Sequence, residues 1–127
     1  MAVSGKSNKV KSAKNLIGGS WGIPASISWY GNYVAIGGRE LSRRLEELYL
    51  SNVREVELVL DVPGQRLVVE GRIYKKQRSR TYYFIYPKHS AQRLLRELYF
   101  MHRGDVASYA KKPIHAVVVA IIPIGGL

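Results

Sequence analysis

Gly71-Arg72-Ile73-Tyr74-Lys75-Lys76-Gln77-Arg78-Ser79-Arg80-Thr81-Tyr82-Tyr83-Phe84-Ile85-Tyr86-Pro87-Lys88 reads as a hairpin. Two runs rich in β-branched and aromatic residues, 67–74 and 81–86, flank a polar connection, 75–80, with four cations and no anion. Aromatic surface and positive charge are thereby forced side by side. Single-stranded nucleic acid asks for that pairing, because rings stack on bases of any sequence while Lys and Arg follow the phosphates. The same residues also read as a surface hairpin whose tyrosines pack in a core and whose cations are merely solvated.

Outside this stretch the composition points the same way. Twenty Lys and Arg against nine Asp and Glu leave a formal charge of +11, which favours a polyanionic partner. A membrane is the weaker candidate, since the chain holds neither a long apolar span nor a basic amphipathic helix with a bulky apolar face. The polar N-terminus lacks a signal peptide's apolar region, and an intracellular, cytoplasmic protein is expected. Without cysteine there are no disulfides or thiolate ligands, and His89, His102 and His115 have no ligand-like spacing. Neither metal nor other cofactor is expected.

Residues 1–20 read as a flexible basic arm and linker, because 1–14 hold four lysines, three serines and too little apolar material to offset the entropy of ordering. Residues 21–127 form the single folded domain. Within it, 26–36 is strand, turn, strand around Gly31-Asn32, a hairpin that gathers Trp29, Tyr30 and Tyr33. Leu41, Leu45 and Leu48 mark one stripe of a helix over 40–50. Val56, Leu58, Leu60 and Val62 alternate with Glu55, Glu57, Val59 and Asp61, so that strand buries one face. After the Pro63-Gly64 turn, Leu67, Val69 and Ile73 face inward and Val68, Glu70, Arg72 and Tyr74 outward.

A second helix is predicted over 91–102, capped by Ser90, stopped at Gly104, and buried through Ala91, Leu94, Leu95, Leu98 and Met101. The apolar run 116–124 must be covered on both faces, either centrally in the sheet or against a second subunit, so a homodimer is expected. Leu45-Glu46-Glu47-Leu48-Tyr49-Leu50 matches Leu95-Arg96-Glu97-Leu98-Tyr99-Phe100 at an offset of 50, and Tyr33 matches Tyr83. The expected fold is therefore α+β: a largely antiparallel sheet, two helices on one of its faces, and a duplicated ββαβ unit.

The residues expected to bind nucleic acid, single-stranded DNA or RNA, are Trp29, Tyr30, Tyr33, Arg72, Tyr74, Lys75, Lys76, Arg78, Arg80 and Tyr83. Alternation separates Tyr82, Phe84 and Tyr86 from Tyr83 and Ile85, so one set packs inward. In its high pI, small size and aromatic clusters at 29–33 and 74–86 with flanking cations, the chain resembles the small archaeal single-stranded-DNA-binding proteins of the ThermoDBP type. That resemblance implies a thermophilic archaeal source, with which the Arg-, Val- and Tyr-rich composition agrees.

From Arg39 onward the order helix, three strands, helix, strand is also similar to the core of the PD-(D/E)xK nucleases, archaeal Holliday-junction resolvases among them. The likeness would put Glu40 on the first helix, Asp61 at a strand end and Glu70-Gly71-Arg72 where that family has Glu-x-Lys, with the carboxylates on Mg²⁺. Arg72 departs from the pattern, since arginine cannot share a lysine's proton chemistry. Binding is expected over catalysis, with no catalytic residue assigned. A third reading, an architectural protein coating duplex DNA, needs the charge alone.

Overall fold

The computed structural model describes residues 22–30, 32–103 and 112–125; the basic arm, Gly31 and Gly104 lie outside them. Among the described residues, six strands and two helices follow in the order β1 (Ile23–Tyr30), β2 (Tyr33–Gly37), α1 (Arg39–Leu50), β3 (Glu55–Val62), β4 (Gln65–Gln77), β5 (Thr81–Pro87), α2 (His89–Arg103) and β6 (Ile114–Pro123). The α+β class and the antiparallel pairing match expectation. What the expectation of a sheet with helices on one face did not include is closure: the strands form a barrel in the order β1-β2-β5-β4-β3-β6 and back to β1.

Closure is the work of β6, which pairs with β1 from Ile23↔Val118 to Ile27↔Ile114 and with β3 from Val56↔Pro123 to Asp61↔Val117. Its register slips by one residue opposite Val59 and Leu60, so that both Val118 and Ile121 face inward. Such a bulge bends a strand and sharpens its twist, the deformation a closing barrel needs. The apolar run is central, as one of the two expectations had it. Its outward residues Val117 and Ile122 stay exposed.

Inside, the alternation of β3 and β4 holds residue for residue: Val56, Leu58, Leu60 and Val62 meet Leu67, Val69 and Ile73 in one core with Ile27, Ile36 and Ile85. The two-residue connection Pro63-Gly64 joins the paired ends Val62 and Gln65, and Gly64 supplies the positive φ, 86°, that the turn requires.

The helices fill the place where the barrel wall is thinnest. β2 and β5 pair only at Ile36↔Ile85, so backbone groups on either side of that pair need other partners. Gln92 on α2 accepts from Val34 N at 2.7 Å and donates to Val34 O at 2.8 Å, while Ser42 on α1 accepts from Tyr83 N at 2.9 Å. α1 buries Leu41 and Leu45, as its stripe predicts.

The buried face of α2 is turned from the predicted one. It comprises Ala91, Gln92, Leu95, Leu98 and Tyr99, whereas Leu94 is 39% and Met101 69% exposed. Hydrogen bonding sets this rotation: Gln92 serves β2, and the Tyr99 hydroxyl lies 2.7 Å from Ile27 O. The helix also starts earlier than expected, with Gln92 N donating to Lys88 O, so Ser90 stands in the first turn and is not its cap.

Candidate nucleic-acid interface

Antiparallel register decides which side chains of β4 and β5 share the outer surface. Arg72 lies opposite Tyr86, Tyr74 opposite Phe84 and Lys76 opposite Tyr82, all facing out, while Ile73 and Ile85 pair inside. The outward rings form a continuous ladder. Tyr33 on β2 stacks on Tyr86 at 4.8 Å between centroids; Tyr86 meets Tyr74 at 5.5 Å, Tyr74 meets Phe84 at 5.9 Å, and Phe84 meets Tyr82 at 6.3 Å. Tyr74, at its centre, is 45% exposed. Tyr82 and Tyr86 are exposed with it, and Tyr33 and Phe84 are half-buried.

The Tyr82 end of the ladder is held in place. Gly38 N donates to the Tyr82 hydroxyl at 2.9 Å, tying β5 to the start of α1. A Cβ on neighbouring Gly37 would come within 2.5 Å of that same oxygen, so only glycine leaves the ring its position.

Beside the ladder runs an open groove of about 770 Å³. Its floor is the outer face of β1 and β2, where the pairs Ser26↔Gly37 and Ser28↔Ala35 carry side chains too small to fill it. One wall is aromatic, from Tyr33, Phe84 and Tyr82. The other is cationic, with Arg39 and Arg43 from α1 and Lys76, Arg78 and Arg80 from the hairpin tip, and Glu46 is the single carboxylate among the described lining residues.

Among the described residues, three ion pairs lie elsewhere on the barrel. Asp61 takes two hydrogen bonds from Arg66, at 2.6 and 3.0 Å, Glu55 pairs with Arg72 at 3.2 Å, and Glu70 with Lys88 at 2.8 Å. The bond Arg66 donates to Asp61 raises the Arg66 pKa, and the bond Lys88 donates to Glu70 raises that of Lys88. Among the described residues, none of Arg39, Arg43, Lys76, Arg78 and Arg80 forms an ion pair. The groove is thus bordered by five cations and one carboxylate, a net positive rim.

Of the residues predicted to bind, Tyr33 and Tyr74 lie in the ladder and Lys76, Arg78 and Arg80 beside it. Arg72 shares the face but is engaged by Glu55. Lys75 belongs to the opposite side of β4, with its Nζ 6.0 Å from the Tyr49 ring on α1. Tyr83 is a core residue, 3% exposed, because its strand parity is that of Ile85. Trp29 packs edge-on against Tyr99 and Phe100 at 5.3 and 6.3 Å, and the Tyr30 side chain lies outside the description.

The expected binding residues left out Tyr82, Phe84 and Tyr86, although β5 alternation had already set them apart as one group. They also left out Arg39 and Arg43, which in sequence look like any solvated helix face.

The carboxylates of the nuclease comparison do not converge. Asp61 stands across from Arg66, Glu70 across from Glu57, and each is bound to a cation. Among the described residues no three His, Asp or Glu side chains gather as metal ligands do. No protein-family model, curated protein or solved structure matches this chain.

Proposed function

We propose that this protein binds single-stranded nucleic acid, DNA or RNA, without cutting it, along the outer face of β2, β5 and β4. The observation that carries this reading is the exposed ladder from Tyr33 to Tyr82, bordered by five cations with no ion-pair partner among the described residues. Rings engage unpaired bases, whose faces a duplex keeps hidden, and the cations hold the phosphates. The architectural reading uses the charge but leaves the exposed rings without a task.

Tyr74→Ala tests it. Loss of one base–aromatic contact is expected to weaken single-strand binding by about 1–3 kcal/mol, with little effect on duplex binding. Fluorescence anisotropy with labelled single-stranded DNA, RNA and duplex would measure both. Unchanged single-strand affinity would reject the ladder, and Mg²⁺-dependent cleavage by the wild-type chain would return the carboxylates to consideration.

The protein is also proposed to be a homodimer joined through the outer face of β6. In the ring of six strands β6 lies opposite β5, so contact through exposed Val117 and Ile122 would leave both ladders free. Light scattering at micromolar concentration should give twice the chain mass, and Val117→Lys should restore the monomer; a monomeric wild type would reject the arrangement.

Duplication of a ββαβ unit is proposed for the fold itself. Exchanging β1-β2-α1-β3 with β4-β5-α2-β6 maps the ring of strand pairs onto itself. Ser42 and Gln92 occupy corresponding helix positions at the offset of 50, and each accepts an N–H from the second strand of the other half, Tyr83 and Val34. Those strand residues are 49 apart, so the strands are offset by one residue from the helices. Tyr33, facing out, accordingly corresponds to Tyr82 and not to buried Tyr83.

A further inference from the structure

A flat stacking surface would need the ladder alone, yet the barrel also provides a recess with one aromatic and one cationic wall. Its volume, about 770 Å³, lies within the range of small-molecule sites, roughly 300–1,000 Å³. A ligand matching both walls has a planar apolar part and an anionic part a few bonds away. A nucleotide has both. The aromatic wall is also preorganised, since the Tyr82 hydroxyl is bonded to Gly38 N and the ring lies hard against Gly37.

Building on the single-strand reading, we propose that the groove is a pocket for one nucleotide. A single nucleoside 5′-phosphate unit of the bound strand leaves the stack and inserts, base against Tyr82 and Phe84, phosphate towards Arg39 and Arg43. The ladder then serves the neighbouring bases and the hairpin tip their phosphates. An inserted base is unpaired by necessity, which makes the pocket a filter for single strands independent of the ladder. The small Ser28 and Ala35 side chains leave it the depth for a ring. Arginine suits the phosphate wall, because its planar fork gives two parallel donors to one anion.

The experiment uses the full chain and adenosine 5′-monophosphate as probe, with adenosine alongside, followed through the NMR signals of Tyr82 and Phe84. Adenosine monophosphate is expected to bind in competition with oligo(dT), and adenosine at least about tenfold more weakly, since a charge-assisted hydrogen bond is worth more than that factor. Ser28→Leu, which fills the floor, and Arg43→Glu, at an exposed helix position, should each weaken monophosphate binding by about tenfold or more. Tyr74→Ala should weaken oligo(dT) and leave the monophosphate unaffected.

Oligo(dT) binding that depends on Tyr74, with no response to the monophosphate, would overturn the pocket and leave the single-strand reading standing. Monophosphate binding without oligo(dT) binding would do the reverse. Monophosphate binding that survives both Ser28→Leu and Arg43→Glu would put the nucleotide elsewhere and sink the assignment.

Discussion

A chain carrying Lys76→Ala, Arg78→Ala and Arg80→Ala together is expected to bind single strands with a log–log salt slope shallower by about 2, because each lost phosphate contact removes about 0.7. Between low and moderate salt that is roughly an order of magnitude less sensitivity. Adding Arg39→Ala and Arg43→Ala should flatten it further, by about 1.4. Lys75→Ala is the internal control. In sequence it is one more member of the basic cluster, but the pairing Lys75↔Tyr83 puts it on the inward-facing parity, beside Tyr49 and away from the groove. Its slope should equal that of the wild type. A triple variant with unchanged slope, or a Lys75 effect as large as any other, would place the phosphates on a different surface.

That control marks where the sequence was legible and where it was not. Period-two patterning of β3 and β4 could be read directly, because Val56 to Val62 and Leu67 to Ile73 alternate against mostly charged neighbours. β5 is aromatic on both faces, so its parity was visible but its direction was not. Only pairing with β4, which aligns Ile85 with Ile73, sends Tyr83 inward and leaves Tyr82, Phe84 and Tyr86 outside.

The barrel itself escaped for a related reason. Its closure depends on β6 meeting both β1 and β3, contacts between residues far apart in the chain that no local pattern encodes. Arg39 and Arg43 became functional candidates only because α1 packs beside β5, which brings them across from a hairpin some 35–40 positions away in sequence. Misjudgement of α2 was of another kind. Hydropathy favours Leu94 and Met101 over Gln92 and Tyr99, and it carries no account of the backbone groups that the short β2–β5 seam leaves to be satisfied.

Gln92 is therefore where a single change should cost the fold most. It is the one buried polar side chain among the described residues, and both ends of its amide are engaged: Oε1 accepts from Val34 N, and Nε2 donates to Val34 O and, at 3.3 Å, to Pro87 O. Gln92→Leu keeps the volume and removes both functions, stranding a donor and an acceptor of β2 in the interior. At about 1–3 kcal/mol for each unsatisfied group, offset in part by the added apolar surface, a loss of roughly 2–4 kcal/mol is expected. Urea unfolding should show it as a lower midpoint with an unchanged m-value.

Gln92→Glu separates hydrogen bonding from packing. A protonated carboxyl can accept from Val34 N and donate to Val34 O as the amide does, whereas the carboxylate cannot donate and would be buried charged. Burial holds its folded pKa above the unfolded value, near 4.3, so above that pH the folded state binds the extra proton and stability falls as pH rises. The Glu variant should approach the wild type at about pH 4 and diverge from it towards neutrality. A Leu variant within about 0.5 kcal/mol of the wild type, or a Glu variant whose deficit does not change with pH, would mean that β2 finds other partners when α2 withdraws its own.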